Sequence, residues 1–176
     1  MSFNKNASKR LSVIAGINRE SREIADIINS IVHEYLTKTL GNAIKVVLFS
    51  GRKTLIVDDL RFLSRICPDY PQVACPTNLA KLAKVCIESK DIEAVLRGYK
   101  GYSLYTLKRP FNNLVRGLAH ELCRADIRIG KNVIPLLQNM TEHQIIKIMN
   151  QAATYTIRDN RDTLLPKDIE TALRTM

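Results

Sequence analysis

The chain has 176 residues, 45% apolar and 25% charged, which excludes wholesale disorder and a collagen-like repeat and leaves enough apolar mass for a buried core. Aromatic residues make up 6% with no Trp, which weakens any reading built on large stacking platforms, and the remaining Ile, Leu, Val and Ala favour helix packing. Lys and Arg outnumber Asp and Glu by 27 to 17, and the surplus of +10 suits a polyanion, nucleic acid ahead of an anionic membrane surface.

The first element is a short helix over residues 7–14. Ile24, Ile27, Ile28, Ile31 and Tyr35 then recur at helical spacing, and Ile44, Val47 and Leu48 carry the period on. Residues 21–49 therefore read as one helix of roughly 40 Å, with Gly41 its weak point. A short helix over 58–66 follows, with Asp58 and Asp59 in the first turn, where the helix dipole favours acids. Cys67-Pro68-Asp69-Tyr70-Pro71 and Cys75-Pro76 concentrate helix breakers and end the unit. Beyond them Thr77 or Asn78 can cap a segment with Leu79, Leu82, Ala83 and Cys86 on one face, and a helix over 91–97 stops at Gly98. A connector so patterned is expected to pack against something.

The same grammar then returns. A helix opens near Lys108 with Pro110 in its first turn and runs through Leu114, Leu118 and Leu122, followed by a basic loop over 124–131. A long segment places Ile145, Ile148, Met149, Ala152 and Tyr155 on one face, and Pro166 opens a last short helix bearing Ile169 and Leu173. The expected fold class is all-α: two short–long–short helix triplets, 1–66 and 101–176, joined by a partly helical connector, 67–100. One triplet cannot cover both sides of its own long helix, so the two should clasp with long helices crossed. That would bring Asn18-Arg19 and Gly51-Arg52-Lys53-Thr54 near Arg128 and Arg161, a surface of basic loops and helix N-termini suited to phosphates.

Other chemistries find little support. Cys67, Cys75, Cys86 and Cys123 with His33, His120 and His143 lack CxxC or HxxxH spacing, so no metal is expected and the thiols should be reduced and partly buried. Gly98, Lys100 and Gly101 do not form a phosphate loop, and Tyr99, Tyr102 and Tyr105 read as packing residues. No nucleophile triad or carboxylate pair stands out, so neither catalysis nor a cofactor is expected. The N-terminal segment has no apolar core for a secretory signal, and no apolar run nears the ~20 residues of a membrane span, so an intracellular location is expected.

Gly51-Arg52-Lys53-Thr54 with Asp59 resembles the second-loop signature of the histone fold, and Lys9-Arg10-Leu11 with Gly16-Ile17 and Arg19 is similar to the first helix and first loop of histone four. The second triplet is similar to histone three, through Pro110-Phe111, Leu114-Val115-Arg116 and Ala119, then Asp126-Ile127-Arg128, then Leu165-Pro166-Lys167-Asp168-Ile169. Four-type then three-type on one chain resembles the histone doublets of Marseillevirus-like giant viruses. That resemblance implies two histone folds clasped as an intrachain pseudo-heterodimer, which packages duplex DNA in nucleosome-like particles. Arg19 and Arg128 would enter the minor groove, and Arg52, Lys53 and Thr54 would take phosphates. Arg116, Arg161, Lys108 and Lys100 would be further DNA contacts. Tyr155, Arg158, Asp168, Thr171 and Arg174 would form a bundle with a second copy, in which Arg158 could pair with Asp168 of the other chain. A two-type histone partner and a place in the virion, viral factory or host nucleus are implied too.

Departures from the family bear on these expectations. Long lysine-rich tails are absent, Ser12-Val13-Ile14-Ala15 replaces a basic cluster, Asn113 stands where the family has an arginine, and Asp162 puts an acid beside the second loop. Pro135 falls in the first turns of the second long helix and is expected to delay its start. The connector replaces the strand-like tail of histone four. The alternative is a histone-fold transcription or replication module that holds protein partners. An enzyme acting on a phosphorylated substrate is a more distant rival.

Overall fold

The structure, a computed structural model, describes residues 5–17, 19–66, 107–123 and 127–176. The expectations for the connector helices, Lys100, the three tyrosines, Asp126 and all cysteines but Cys123 lie outside the described residues. The described part holds six helices and four two-residue strands: α1 (Lys5–Ile14), β1 (Arg19–Glu20), α2 (Ile24–Phe49), β2 (Thr54–Leu55), α3 (Val57–Ile66), α4 (Lys108–Leu122), β3 (Arg128–Ile129), α5 (Val133–Arg158), β4 (Thr163–Leu164) and α6 (Pro166–Thr175).

Helix α2 buries Ile24, Ile28, Val32, Leu36, Leu40, Ala43 and Val47, an apolar stripe at three- and four-residue spacing, and it runs unbroken through Gly41. It starts at Ile24, three residues later than its periodicity suggests, and the Ser21 N–H ahead of it is donated to the Leu164 carbonyl at 3.1 Å. Helix α5 starts at Val133, so Pro135 is its third residue and the expected delay does not occur. The N–H groups of a first turn have no intrahelical acceptor, so a proline there forfeits no hydrogen bond.

Both long helices have 26 residues, and both final short helices have 10. Ile24 to Val133 and Val57 to Pro166 are each 109 positions apart (133 − 24 and 166 − 57), so the two triplets repeat without insertion from the long helix onward. The terminations match as well. Gly51 at φ 66° and Asn160 at φ 52° occupy equivalent places, each in the left-handed conformation that ends a helix by returning N–H groups to its last carbonyls.

The triplets meet through paired strands. β1 runs parallel to β4, with Arg19 opposite Thr163 and Glu20 opposite Leu164. β2 runs parallel to β3, with Thr54 opposite Arg128 and Leu55 opposite Ile129. Helix α1 packs on α5, and α4 on α2. Leu11, Leu36, Leu60, Val115, Met149 and Ile169, one from each helix, belong to a single apolar core.

Candidate nucleic-acid interface

The loops that follow the two long helices are built alike. In the first, the Asp59 carboxylate accepts the Ile56 N–H at 2.9 Å, which closes the start of α3, and binds the Arg52 guanidinium through both oxygens. Arg52 also donates to Ser50 Oγ at 3.0 Å, and its pairing with Asp59 holds it firmly in the charged form. In the second loop, Asp168 accepts the Leu165 N–H at 2.9 Å, the Thr156 hydroxyl at 3.1 Å, and Arg161 at 2.7 and 3.0 Å. Burial pushes the Asp168 carboxyl up, but the bonds from Arg161, the Leu165 N–H and Thr156 together outweigh it and hold it below its ordinary value. Arg161 is raised by Asp168 first and Asp159 second, and Asp159 is lowered by Arg161 and then Lys167.

Across each strand pair from these loops stands an exposed arginine. Arg128 lies opposite Thr54, with Lys53 next to it, and the Arg128 N–H is donated to the Lys53 carbonyl at 2.8 Å. Arg19 lies opposite Thr163, with Asp162 next to that. Arg19, Lys53 and Arg128 are exposed and Thr54 is half-buried. The paired strands therefore bring together two groups of the sequence-derived residues, Arg128 with Arg52, Lys53 and Thr54, and Arg19 with Arg161. Lys108 is exposed at the start of α4, and Arg116, also exposed, donates to Asn112 at 2.9 Å.

Arg52 and Arg161, which the resemblance implies as DNA contacts, are each bound by a carboxylate of the helix that follows their loop. Asp168, the implied cross-chain partner of Arg158, is already engaged within its own chain. Asp168 is 3% exposed and its oxygens already hold Arg161, Thr156 and the Leu165 N–H, while Arg158 is exposed at the end of α5. Tyr155 shares a hydrogen bond with Thr175 at 3.0 Å, and Thr171 and Arg174 are exposed on α6. Beside them Ile157, Leu173 and Met176 leave apolar surface in solvent. The corresponding end of the first triplet is more apolar: Phe49 is 97% exposed, and Leu48, Phe62 and Ile66 are exposed with it.

Sequence reasoning missed Arg22 and did not single out Lys131, which are exposed, lie three residues beyond Arg19 and Arg128, and occupy equivalent positions of the 109-residue repeat. That repeat is the signal that pairs them. No cluster of metal-ligating side chains occurs among the described residues, and no described helix is long and apolar enough to cross a membrane.

A family model of the core histone domain, the one shared by histones two-A, two-B, three and four, matches residues 101–175. Among solved structures, the chain is similar to the histone from Methanopyrus kandleri, at 21% identity and a TM-score of 0.59, over 97% of this chain and 92% of that one. The fold is the histone fold, and the match to the core histone model falls on the second triplet.

Proposed function

We propose that this chain is a DNA-packaging histone doublet, with 1–66 and 101–176 as two histone folds clasped into an intrachain pseudo-heterodimer and 67–100 as connector. The observation that carries this reading is the parallel strand pairing, which sets exposed Arg19 and Arg128 each beside the second loop of the other triplet. Further support comes from the solved histone, since a match over 97% of this chain runs through both triplets on one polypeptide. Arg19 and Arg128 enter minor grooves that face the protein, and Lys53, Thr54 and the second-loop backbone take phosphates. Arg52 and Arg161 hold those loops in shape, and Arg161 is wholly engaged in doing so, with its terminal N–H groups on Asp168, Asp159 and the Thr163 carbonyl and its Nε buried. Arg116 and Lys108 extend the track, and Lys100, outside the described residues, is a further DNA contact in this reading. Such binding reads DNA shape and deformability rather than base edges and is sequence-tolerant.

Two chains join through the end formed by Tyr155, Ile157, Arg158, Thr171, Leu173 and Arg174, with Asp168 acting inside it as a brace. The apolar end around Phe49 receives a two-type histone. The particle belongs to a virion, viral factory or host nucleus. The test is micrococcal nuclease digestion of DNA reconstituted with the chain, alone and with two-type histones, beside the Arg19→Ala/Arg128→Ala variant. Discrete protected fragments that lengthen with the partner and blur in the variant are expected. A featureless smear from folded protein in every mixture refutes packaging and favours a module that holds protein partners.

A further inference from the structure

The repeat allows the two strand pairs to be compared position by position, and they are chemically unequal. Residues 50–54 with 128–131 contain Arg52, Lys53, Arg128 and Lys131 and no acid. Residues 159–163 with 19–22 contain Arg161, Arg19 and Arg22, set against Asp159, Asp162 and Glu20. The decisive exchange sits next to the arginine: Lys53 adjoins the residue opposite Arg128, whereas Asp162 adjoins the residue opposite Arg19. Ser50 is likewise replaced by Asp159, which holds Arg161, already bound by Asp168, at 2.7 Å and occupies the exposed Lys167 at 3.3 Å. Glu20 is turned to the Ser12 hydroxyl in α1. Among the described residues no carboxylate holds Lys53, Arg128 or Lys131.

A phosphate approaching the first pair meets three cations, Lys53, Arg128 and Lys131, that no carboxylate among the described residues holds, beside the loop backbone. Approaching the second, it meets Arg19 and Arg22 together with the exposed carboxylate of Asp162, and like charge offsets the attraction. From this we infer that the chain grips DNA unequally: the β2–β3 pair is the anchor, and the β1–β4 pair is a weak site that releases DNA first. The inference rests on the packaging reading, and it makes each DNA path directional, tight at one end of the fold and loose at the other. The exposed acids at the loose end are also the point at which a basic competitor or raised salt would begin to peel the duplex away.

The experiment uses the full chain and a short duplex, with affinity measured by fluorescence anisotropy from 50 to 200 mM salt. Each phosphate contact contributes about 0.9 to the slope of log affinity against log salt, so two contacts account for an affinity change of about 12-fold over that range. Arg128→Ala/Lys131→Ala should lower the slope by about 1.8, whereas the equivalent Arg19→Ala/Arg22→Ala should lower it by less than about 0.9. Asp159→Ser/Asp162→Lys, which writes the first loop's charges into the second, should raise the slope and make binding sensitive to Arg19→Ala. All these positions are exposed or half-buried, and circular dichroism verifies that each variant is folded. Equal slope losses in the two double variants, or no gain from the charge graft, overturn the inference while leaving packaging intact. An unaltered chain whose affinity shows no salt dependence overturns packaging and the inference together.

Discussion

Replacing Gly130 with Ala tests whether the strand pair that presents Arg128 is set by backbone proximity. A Cβ added at Gly130 would stand 2.9 Å from the Leu55 carbonyl oxygen, a backbone atom that cannot rotate away. That oxygen accepts the Gly130 N–H at 2.9 Å, and the adjoining Arg128 N–H reaches the Lys53 carbonyl at 2.8 Å, so parting the strands forfeits both bonds. At about 0.5–1.5 kcal/mol each, the loss is about 2 kcal/mol, equivalent to a fall in Tm of about 4–8 °C in a protein of this size. The internal control is Ser21, the equivalent position on the other pair, which already carries a Cβ, so that Ser21→Ala should stay within about 0.5 kcal/mol of the unaltered chain. Thermal and urea unfolding of both variants gives the comparison, and amide exchange at Arg128 locates the damage. Equal stabilities for Gly130→Ala and Ser21→Ala would refute the proximity argument.

Leu36 is fully buried in the core shared by all six helices, so Leu36→Ala should cost about 2–5 kcal/mol and lower one common unfolding transition; separate transitions for the two triplets would contradict a shared core. Asp168 has a carboxyl held below 3.8, so its stabilisation is fully present above that pH and is lost as pH falls through the lower folded-state value. Asp168→Asn should therefore be less stable near neutrality and lose less on acidification than the unaltered chain, as acid titration followed by circular dichroism will show. Phe49→Asp should leave stability within about 0.5 kcal/mol, because the ring is in solvent, yet abolish capture of a two-type histone in size-exclusion chromatography. Ile157→Glu/Leu173→Glu should reduce the two-chain assembly to single chains in sedimentation velocity, with DNA binding by the single chain retained.

The helices were legible because their apolar positions repeat at a spacing only a helix can bury, and Pro166 and the paired acids of 58–59 mark starts by known end chemistry. Pro135 misled because a proline is read from sequence as a breaker, whereas its effect depends on its place in the turn, which only the observed start at Val133 fixes. Two arginines, Arg158 and Arg161, stand near Asp168 in the sequence, and nothing in their spacing tells which one it takes. The closed loop does, since burial of the carboxylate leaves room for Arg161 alone among them. The same ion pair removes Arg161, and Asp59 removes Arg52, from the pool of unengaged cations. The basic loops were legible as motifs, but their inequality needed the strand register, because Lys53 and Asp162 gain meaning only from the arginine each one adjoins.

Both strand pairs close within one polypeptide, so their formation is first order and dilution cannot part them. The two closures differ in span: Arg19 meets Thr163 across 144 positions (163 − 19), and Thr54 meets Arg128 across 74 (128 − 54). Closing the longer loop costs about 0.6 kcal/mol more in chain entropy, since each doubling of length adds about that much. During folding the shorter closure, which carries Arg128, is favoured to form before the one that carries Arg19.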